Sequence, residues 1–283
     1  MPGPAPVLVE TGSQTSVPVV LRALDGLGLG PDDLAGIVVT HVHLDHAGGV
    51  GDLARAFPRA TVYVHPEGAR HLVDPSRLVA SAARVYGDML DGVYGRLDPT
   101  PAERVQALDD GDEIVVGPGR VLTAVHSPGH ARHHLALHDS DTGVLFAGDA
   151  VGVRLPDVGV LRPATPPPDF DLDLAVSSLR TFASRRPSKV ALAHFGVLDG
   201  DPAQVLAEAE DALRDWAAVA EAAWRRGDDV AGALGAAFGA DPTQTMAALN
   251  GVHSNAAGLR RWLDKGGRPT PDAETRPMPP RPA

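Results

Sequence analysis

Residues 40–49, THVHLDHAGG, place three histidines and one aspartate within six consecutive positions. His41 and His43 are two positions apart on an extended segment, so their side chains can point the same way. Asp45 and His46 follow as the chain turns. Imidazole nitrogens and carboxylate oxygens are ligands of divalent metals. A lone histidine is usually a surface or hydrogen-bonded core residue, but this clustering predicts a metal site.

Three later segments carry a potential ligand where an apolar strand ends. They are VHSPGH, LFAGD and ALAHFG, which contribute His130, Asp149 and His194. Strand ends on one edge of a sheet meet in space, so we expect these side chains to join the cluster at residues 41–46. The resulting set of five imidazoles and two carboxylates suits zinc, manganese or iron, and two ions more readily than one. Asp149 also suits a turn after a strand, and His194 also suits a capped core histidine.

The composition excludes several other classes of protein. The 283 residues are 43% hydrophobic and 22% charged, which is typical of one large globular domain, alone or with an appendage. The absence of cysteine excludes disulfides, thiolate zinc sites and cysteine nucleophiles. A net charge of −11 without a dense Lys/Arg run argues against nucleic acid or membrane partners. The N-terminus lacks the features of a signal peptide, so we expect a cytoplasmic protein.

Hydrophobic periodicity predicts the elements that position the cluster. PVLVETG, GIVVT and TVYV indicate strands, with helical patterns between them, and four apolar runs between residues 112 and 149 indicate antiparallel strands. Residues 161–171, LRPATPPPDFD, predict a stiff loop because proline lacks an amide donor and has a fixed φ. A helix near residues 172–184 and the strand KVALAHFG follow. Beyond Asp201 the composition predicts helices to about Lys265, and then a disordered Pro-rich tail.

The potential ligands resemble the signature of the metallo-β-lactamase superfamily, His-X-His-X-Asp-His followed at long intervals by His, Asp and His. The resemblance covers about residues 7–200 and includes the ETG turn and the GD doublet. It implies an α+β fold, a four-layer αββα sandwich with a C-terminal helical appendage and metals at the sheet edge. The implied organisation is a metallo-β-lactamase-like αββα domain at 1–200, a C-terminal helical region at 201–265 and the Pro-rich tail at 266–283.

The resemblance also implies the arrangement of ligands and the chemistry. It assigns the ligands to two cations, one on His41, His43 and His130, the other on Asp45, His46 and His194, with Asp149 between them. A bridging hydroxide would attack a carbonyl or phosphoryl centre, with Asp45 as the catalytic residue that orients it. We expect two zinc ions, with iron or manganese as alternatives. His134 stands where relatives of the glyoxalase II type carry a supporting histidine. His133 either faces the pocket or, as we expect, lies on the surface.

Within the superfamily, the sequence favours a glyoxalase II-like hydrolase that acts on a small molecule. True β-lactamases usually lack the bridging aspartate, and flavodiiron reductases place a glutamate at the position of His43. The Gly-Cys-Gly stretch of glyoxalase II and persulfide dioxygenases is absent after Asp149, which argues against glutathione thioesters. We therefore predict hydrolysis of an ester, thioester or lactone. A mono-iron dioxygenase of the persulfide dioxygenase type and a phosphodiesterase are the alternatives, although the acidic chain is poorly suited to a phosphate backbone.

Three features of the C-terminal half of the chain each allow two interpretations: a cationic helix, a proline-rich loop and three tryptophans. Residues 255–265, NAAGLRRWLDK, resemble the appendage that covers the substrate side in the glyoxalase II group. Its cations, Arg260, Arg261 and Lys265, either meet an anionic substrate tail or form a solvated helix face. The loop at 163–170 either walls the pocket or only connects two elements. The tryptophans at 216, 224 and 262 suit a core by default, or a homodimer interface.

The N-terminus departs from the family pattern. Relatives usually have one or two further strands before the ETG turn, and here only about six residues precede it. We expect either that the natural chain starts further upstream or that the first sheet has a shortened edge.

Overall fold

The computed structural model describes residues 6–87, 89–154 and 159–267. Within them, two β-sheets pack face to face and helices cover both outer faces. This architecture confirms the predicted α+β fold, an αββα sandwich with a C-terminal helical region. The tail predicted to be disordered lies outside the described part of the chain from residue 268 onward.

The first sheet has four parallel strands within the described residues, in the order β1-β2-β3-β4. Its strands are β1 (Val7–Val9), β2 (Gly36–Val38), β3 (Thr61–Val64) and β4 (Val105–Ala107). The helices between them are α1 (Val17–Gly26), α2 (Leu44–Ala47), α3 (Val50–Ala56), α4 (Pro66–Val73), α5 (Ser76–Tyr86) and α6 (Met89–Val93). The sequence did not predict β4, because Gln106 and Ala107 are exposed and the strand has no apolar alternation.

The second sheet has six strands within the described residues, in the order β12-β11-β8-β7-β6-β5. Its strands are β5 (Glu113–Gly117), β6 (Arg120–His126), β7 (Leu135–Asp139), β8 (Val144–Gly148), β11 (Lys189–Leu192) and β12 (Gly196–Val197). Strands β5 to β8 pair antiparallel, as predicted, and β11 adds in parallel to β8. A separate antiparallel pair, β9 (Val153–Arg154) and β10 (Leu161–Arg162), starts the proline-rich loop.

The layers follow from the alternation of side chains along the strands. In β2, Val38 faces the core between the sheets, while Ile37 faces the helices of the first outer layer. In β7, Leu135 and Leu137 face the core between the sheets, and Ala136 faces the helices of the other outer layer. Successive residues of a strand point to opposite faces, so each strand contributes to two hydrophobic cores.

The outer layer on the second sheet is built from the C-terminal half of the chain. It contains α7 (Leu172–Ser184), α8 (Pro202–Arg226), α9 (Val230–Phe238), α10 (Gln244–Asn250) and α11 (Val252–Asp264). Asp201 caps α8 by accepting from the Ala203 amide, and Pro202 occupies its first turn. One continuous apolar cluster joins α7, α8, α9 and α11 to β8 and β11, so the helical region at 201–265 shares the core of the second sheet. The domain boundary at residue 200 stays a prediction.

The three tryptophans lie at the centre or the rim of this helical layer. Trp216 and Trp262 are buried, and the Trp224 indole donates to Asp264 at 2.8 Å. The burial of Trp216 and Trp262 agrees with a role of these two residues in the core of the protomer. Among the described residues, no helix combines the length and the apolar character needed to cross a membrane.

Candidate metal centre

Loops that follow parallel strand ends bring the predicted ligands together. In the first sheet, β2 ends at Val38, two residues before Thr40, and α2 begins after His43. In the second sheet, β6, β8 and β11 run in the same direction and are followed by His130, Asp149 and His194. Because the carboxyl ends of these strands meet at one edge of the sandwich, residues far apart in sequence become neighbours.

Three histidines form the first group of ligand atoms. Nε2 of His41 lies 2.9 Å from Nδ1 of His43, and Nε2 of His130 lies 3.2 Å and 3.1 Å from those two nitrogens. The rings of His41 and His130 are buried. Nitrogens bound at about 2.0–2.1 Å to a tetrahedral zinc ion stand about 3.3 Å apart, so this triangle has nearly the dimensions of one tetrahedral face.

Asp45, His46, Asp149 and His194 form the second group. Nε2 of His46 lies 3.7 Å from Oδ2 of Asp45 and 3.4 Å from Oδ2 of Asp149. Nε2 of His194 lies 3.5 Å from Oδ2 of Asp45 and 3.7 Å from Oδ1 of Asp149. Asp149 also reaches the first group, because its Oδ2 lies 3.8 Å from Nε2 of His130. Asp149 therefore stands between the two groups.

Several atoms of this centre lack the partners that buried polar atoms normally have. Nε2 of His46, Nε2 of His194 and Oδ1 of Asp149 have no hydrogen-bond partner among the described residues, although each atom is shielded from solvent. Buried polar groups are almost always paired, and unpaired groups therefore indicate an ion or a water molecule. The donor set, histidine and carboxylate without thiolate, fits zinc, iron or manganese. The residues present thus fit divalent metal ions.

The three-histidine group is held neutral. Burial lowers the pKa of His41 well below its usual range, and the neighbouring imidazoles of His46 and His43 lower it further. Burial likewise lowers the pKa of His43 to about 3, and it also lowers the pKa of His130. A neutral imidazole is the form that binds a metal, so these rings require no deprotonation at neutral pH.

The second group instead pairs imidazolium with carboxylate. Burial opposes ionisation of Asp149, but His46 and His194 outweigh it and hold the pKa of this carboxyl well below its usual range. Burial also acts to lower the pKa of His46, yet Asp149, Asp45 and Glu10 raise it well above the usual value. A cation bound by this group would take the place of the imidazolium charge beside the carboxylates, and its binding would release protons.

Glu10 is a residue of the centre that sequence analysis missed. Its Oε1 accepts from the Thr40 amide at 2.9 Å, and its Oε2 accepts from Nδ1 of His46 at 3.2 Å. This contact holds the His46 ring with Nε2 directed at the carboxylates. Glu10 has a φ of 67°, which a residue with a side chain rarely adopts. The ETG triplet was the available signal, but it indicated only a turn.

His134 contacts the backbone of Asp149, one of the predicted ligands, which agrees with the supporting position that the family resemblance implied. Its Nε2 accepts from the Asp149 amide at 3.2 Å, and its Nδ1 donates to the Ser127 hydroxyl at 2.7 Å. Gly148 passes so close that a Cβ there would lie 2.5 Å from Nε2 of His134, at a φ of 53°. Of the two alternatives for His133, the structure favours the one on the side of the centre, because His133 is half-buried and its ring lies 6.4 Å from that of His41.

The structure brings all seven predicted ligands, with His134 and Glu10, into one centre. Their assignment to individual metal ions stays a prediction.

The match to known sequences identifies the family. The sequence profile of the metallo-beta-lactamase superfamily matches residues 5–194, which include every one of the predicted ligands. The chain belongs to the metallo-beta-lactamase superfamily. This confirms the resemblance drawn from the His-X-His-X-Asp-His motif.

Three relatives show the range of proteins that this chain is similar to. The metallo-beta-lactamase fold-containing protein ST1585 of Sulfurisphaera tokodaii is 33% identical over 59% of this chain and 62% of its own length. A hydroxyacylglutathione hydrolase of Aeromonas hydrophila is 36% identical over 47% of this chain and 38% of its own length. The human acyl-coenzyme A thioesterase MBLAC2 is 37% identical over 40% of each chain. The matched segment thus spans less than two thirds of each relative.

Solved structures agree with this family. The structure of ST1585 superposes with a TM-score of 0.62 at 29% identity over 75% of this chain and 77% of that chain. TTHA1429 from Thermus thermophilus, with a TM-score of 0.64 at 22% identity, covers 92% of this chain and 87% of its own and shares the fold. TTHA1623, solved in a di-iron-bound form, has a TM-score of 0.52 at 26% identity over 71% and 86% of the two chains.

Proposed function

We propose that this protein is a metal-dependent hydrolase with two divalent cations, which cleaves an ester, a thioester or a lactone. The observation that carries the proposal is the pair of adjacent ligand groups with Asp149 between them. The family and the relatives named hydrolase and thioesterase support metal-dependent hydrolysis as the class of reaction. We further propose that the centre binds two metal ions, that these ions are zinc, and that the substrate is an ester, a thioester or a lactone.

The proposed ligands follow the two groups described above. His41, His43 and His130 would hold one cation, and Asp45, His46 and His194 the other, with Asp149 shared. Divalent cations bound there supply Lewis acidity towards the substrate oxygen and lower the pKa of a coordinated water molecule. The di-iron form of TTHA1623 makes iron a realistic alternative to zinc at such ligands.

The residues of the chain contribute orientation and proton acceptance. Asp45 is the more accessible of the two aspartates, with a side chain 24% exposed against 8% for Asp149. Burial favours its neutral form, but the neighbouring imidazoles of His46 and His194 hold its pKa below the usual range, so it is ionised at neutral pH. Asp45 would therefore accept a hydrogen bond from the attacking water molecule and orient it.

The accessible side of the centre is the side from which substrate would approach. Asp45 and His194 retain partial exposure, whereas His41 and His46 are buried beneath them. A carbonyl substrate suits this centre better than a polyanionic one, because the chain carries a net charge of −11. We therefore place ester, thioester and lactone substrates ahead of phosphodiesters.

The test combines metal analysis with a substrate panel. Purified protein is analysed for zinc, iron and manganese, and then assayed with a chromogenic thioester, an ester, a lactone and a phosphodiester. We expect close to two metal ions per chain and turnover of at least one carbonyl substrate. His43→Ala should abolish turnover and reduce the bound metal, whereas His253→Ala, at an exposed histidine of α11, should change neither.

Two outcomes would contradict the proposal. Unchanged turnover in His43→Ala would reject this centre as the site of reaction. A single iron per chain, with dioxygen uptake and no hydrolysis, would support the dioxygenase alternative.

A further inference from the structure

The proline-rich segment at residues 162–170 connects the metal centre to the C-terminal helix α11. On the metal side, the Ala164 carbonyl accepts from Nδ1 of His130 at 3.1 Å. Because a carbonyl only accepts, this bond places the ring proton on Nδ1 and leaves the Nε2 lone pair for the three-histidine group. The position of the Ala164 carbonyl therefore sets both the tautomer and the direction of His130.

Two buried asparagines fix this segment from the side of the helical layer. The Thr165 amide donates to Oδ1 of Asn255 at 2.5 Å, and the Thr165 hydroxyl donates to the same oxygen at 3.0 Å. Asn255 in turn donates to Oδ1 of Asn250 at 2.8 Å, and Asn250 donates to the Pro163 carbonyl at 3.0 Å. The residues on both sides of Ala164 are thus bound to the asparagine pair. Thr165 and Asn255 are fully buried, so breaking these bonds leaves unpaired polar groups.

Backbone contact reinforces the connection. A Cβ at Gly258 of α11 would lie 1.8 Å from the Thr165 carbonyl oxygen and 2.7 Å from the Pro166 carbonyl carbon. Both atoms belong to the backbone, so no side-chain rotation relieves the contact. Only glycine allows α11 to lie this close to the segment that carries Ala164.

The cations of α11 continue the same contact towards the surface. Nε of Arg261 and Nζ of Lys265 both donate to the Pro168 carbonyl at 3.3 Å. The Trp262 ring packs edge-on against Phe170, with 6.2 Å between ring centroids. Arg261 and Lys265 therefore contact the proline-rich segment while they remain exposed on the surface of α11.

The geometry points to α11 as a positioning element for the metal ligand His130, acting through Asn255, Gly258 and the carbonyl of Ala164. This inference rests on the proposed function, in which His130 binds a cation. The helical appendage thereby controls how firmly the three-histidine group holds its metal ion. A displaced Ala164 carbonyl would free the His130 ring to rotate and to take Nε2 out of the triangle with His41 and His43.

The test uses a pair of glycine-to-alanine variants in the full-length protein. Gly258→Ala introduces the backbone collision, whereas Gly235→Ala in α9 places its Cβ where nothing lies within 4 Å. Both substitutions change helix propensity in the same direction. A difference between the two variants in the rate of ion release therefore reports the contact with Thr165. The protein is loaded with Co²⁺, and the loss of each ion to a chelator is followed by its visible absorption.

We expect Gly258→Ala to release one of the two ions at least about tenfold faster than the wild type and to alter the ligand-field spectrum of that ion. The second ion should leave at the wild-type rate, and Gly235→Ala should match the wild type throughout. In a His130→Ala background the Gly258→Ala substitution should have no further effect on release, because the ligand through which it acts is gone. If Gly258→Ala accelerated release through a general loss of stability, the acceleration would persist in the His130→Ala background.

A milder pair of variants covers the case in which Gly258→Ala does not fold. Thr165→Val removes the hydroxyl that donates to Asn255 with little change in volume, and Thr165→Ser restores it. We expect faster release of one ion from Thr165→Val and wild-type release from Thr165→Ser.

The outcomes separate this inference from the proposed function. Wild-type release rates in Gly258→Ala or Thr165→Val, or the same acceleration with His130 absent, would overturn the role of α11 while leaving the metal centre intact. Retention of both ions by His130→Ala would reject His130 as a ligand, and with it both proposals.

Discussion

The Glu10 carboxylate accepts from Nδ1 of His46 at 3.2 Å, although 36 positions separate the two residues. The parallel pairing of β1 with β2 creates this contact, because it places the ends of the two strands side by side. The same carboxylate accepts from the Thr40 amide, one residue before His41. Glu10 therefore links the first strand of the chain to the metal-binding motif, and its role is open to direct tests.

Glu10→Gln should weaken metal binding. The amide can still accept from the Thr40 amide, but it removes the negative charge beside His46 and can present a donor to Nδ1. Loss of such a partner typically lowers metal affinity by about 10–100-fold. Competition with a fluorescent chelator would measure the affinity, with Glu113→Gln at an exposed position of β5 as the control. Equal affinity in the two variants would show that Glu10 has no such role.

Metal addition should stabilise the fold. Binding to the native state alone contributes about 2.7 kcal/mol when the free metal is at 100 times its Kd, or roughly 5–10 °C in Tm for a chain of this size. The unpaired atoms of His46, Asp149 and His194 are the groups that the cation would satisfy. Thermal melts of chelator-treated protein, with and without added Zn²⁺, would measure the shift. A Tm independent of Zn²⁺ would contradict metal binding by the folded chain.

Gly148→Ala should destabilise the fold, because its Cβ would meet Nε2 of His134 at 2.5 Å and Oγ1 of Thr40 at 2.7 Å. Overpacking of this kind costs about 1–3 kcal/mol, to which the positive φ adds. Gly111→Ala is the matched control, since its φ is also positive, at 86°, but nothing lies within 4 Å. Urea unfolding of the metal-free variants would compare them. If Gly148→Ala lowered the free energy of unfolding no more than Gly111→Ala does, the contact with His134 and Thr40 would not limit the residue at position 148.

Asp139 should contribute stability that depends on pH. This buried carboxylate at the end of β7 accepts from Nη2 of Arg120 at 2.5 Å and from the Thr142 hydroxyl at 2.7 Å. Burial acts to raise the pKa of Asp139, but hydrogen bonds from Arg120 and Thr142 hold it well below the usual range. A depressed pKa in the folded state stabilises the protein above the unfolded-state value near pH 4, and this contribution is lost as the pH falls through the folded-state pKa.

Asp139→Asn should therefore lower the free energy of unfolding by about 1–3 kcal/mol at pH 7, with a deficit that narrows below about pH 4. Urea unfolding from pH 3 to pH 8 would measure the deficit. Asp141→Asn, in the same turn but exposed, should show neither effect. A deficit that stays constant down to pH 3 would contradict the role assigned to the Asp139 charge.

Local sequence patterns account for much of the fold. Strands β5 to β8 were predictable because each is a short apolar run bounded by turns that contain Gly or Asp. Strand β4 was not, because Gln106 and Ala107 are exposed at the edge of the sheet and carry no alternation. The proline-rich segment was correctly predicted to be a loop, since proline fixes φ and lacks an amide donor. Its partners could not be predicted, because they come from Asn250, Asn255 and Gly258, about 90 residues further along the chain.

The sequence by itself determined which chemical types of metal ligand the centre can offer. The types of the ligands, the absence of cysteine and the short spacing from His41 to His46 already restrict the site to histidine and carboxylate. Only the tertiary structure decided which residues orient those ligands. Glu10 reaches His46 through parallel strand pairing, and Ala164 reaches His130 through a loop held by α11. A ligand is recognised by its side chain, whereas a residue that orients it acts through its position in space, and that position depends on the packing of distant segments.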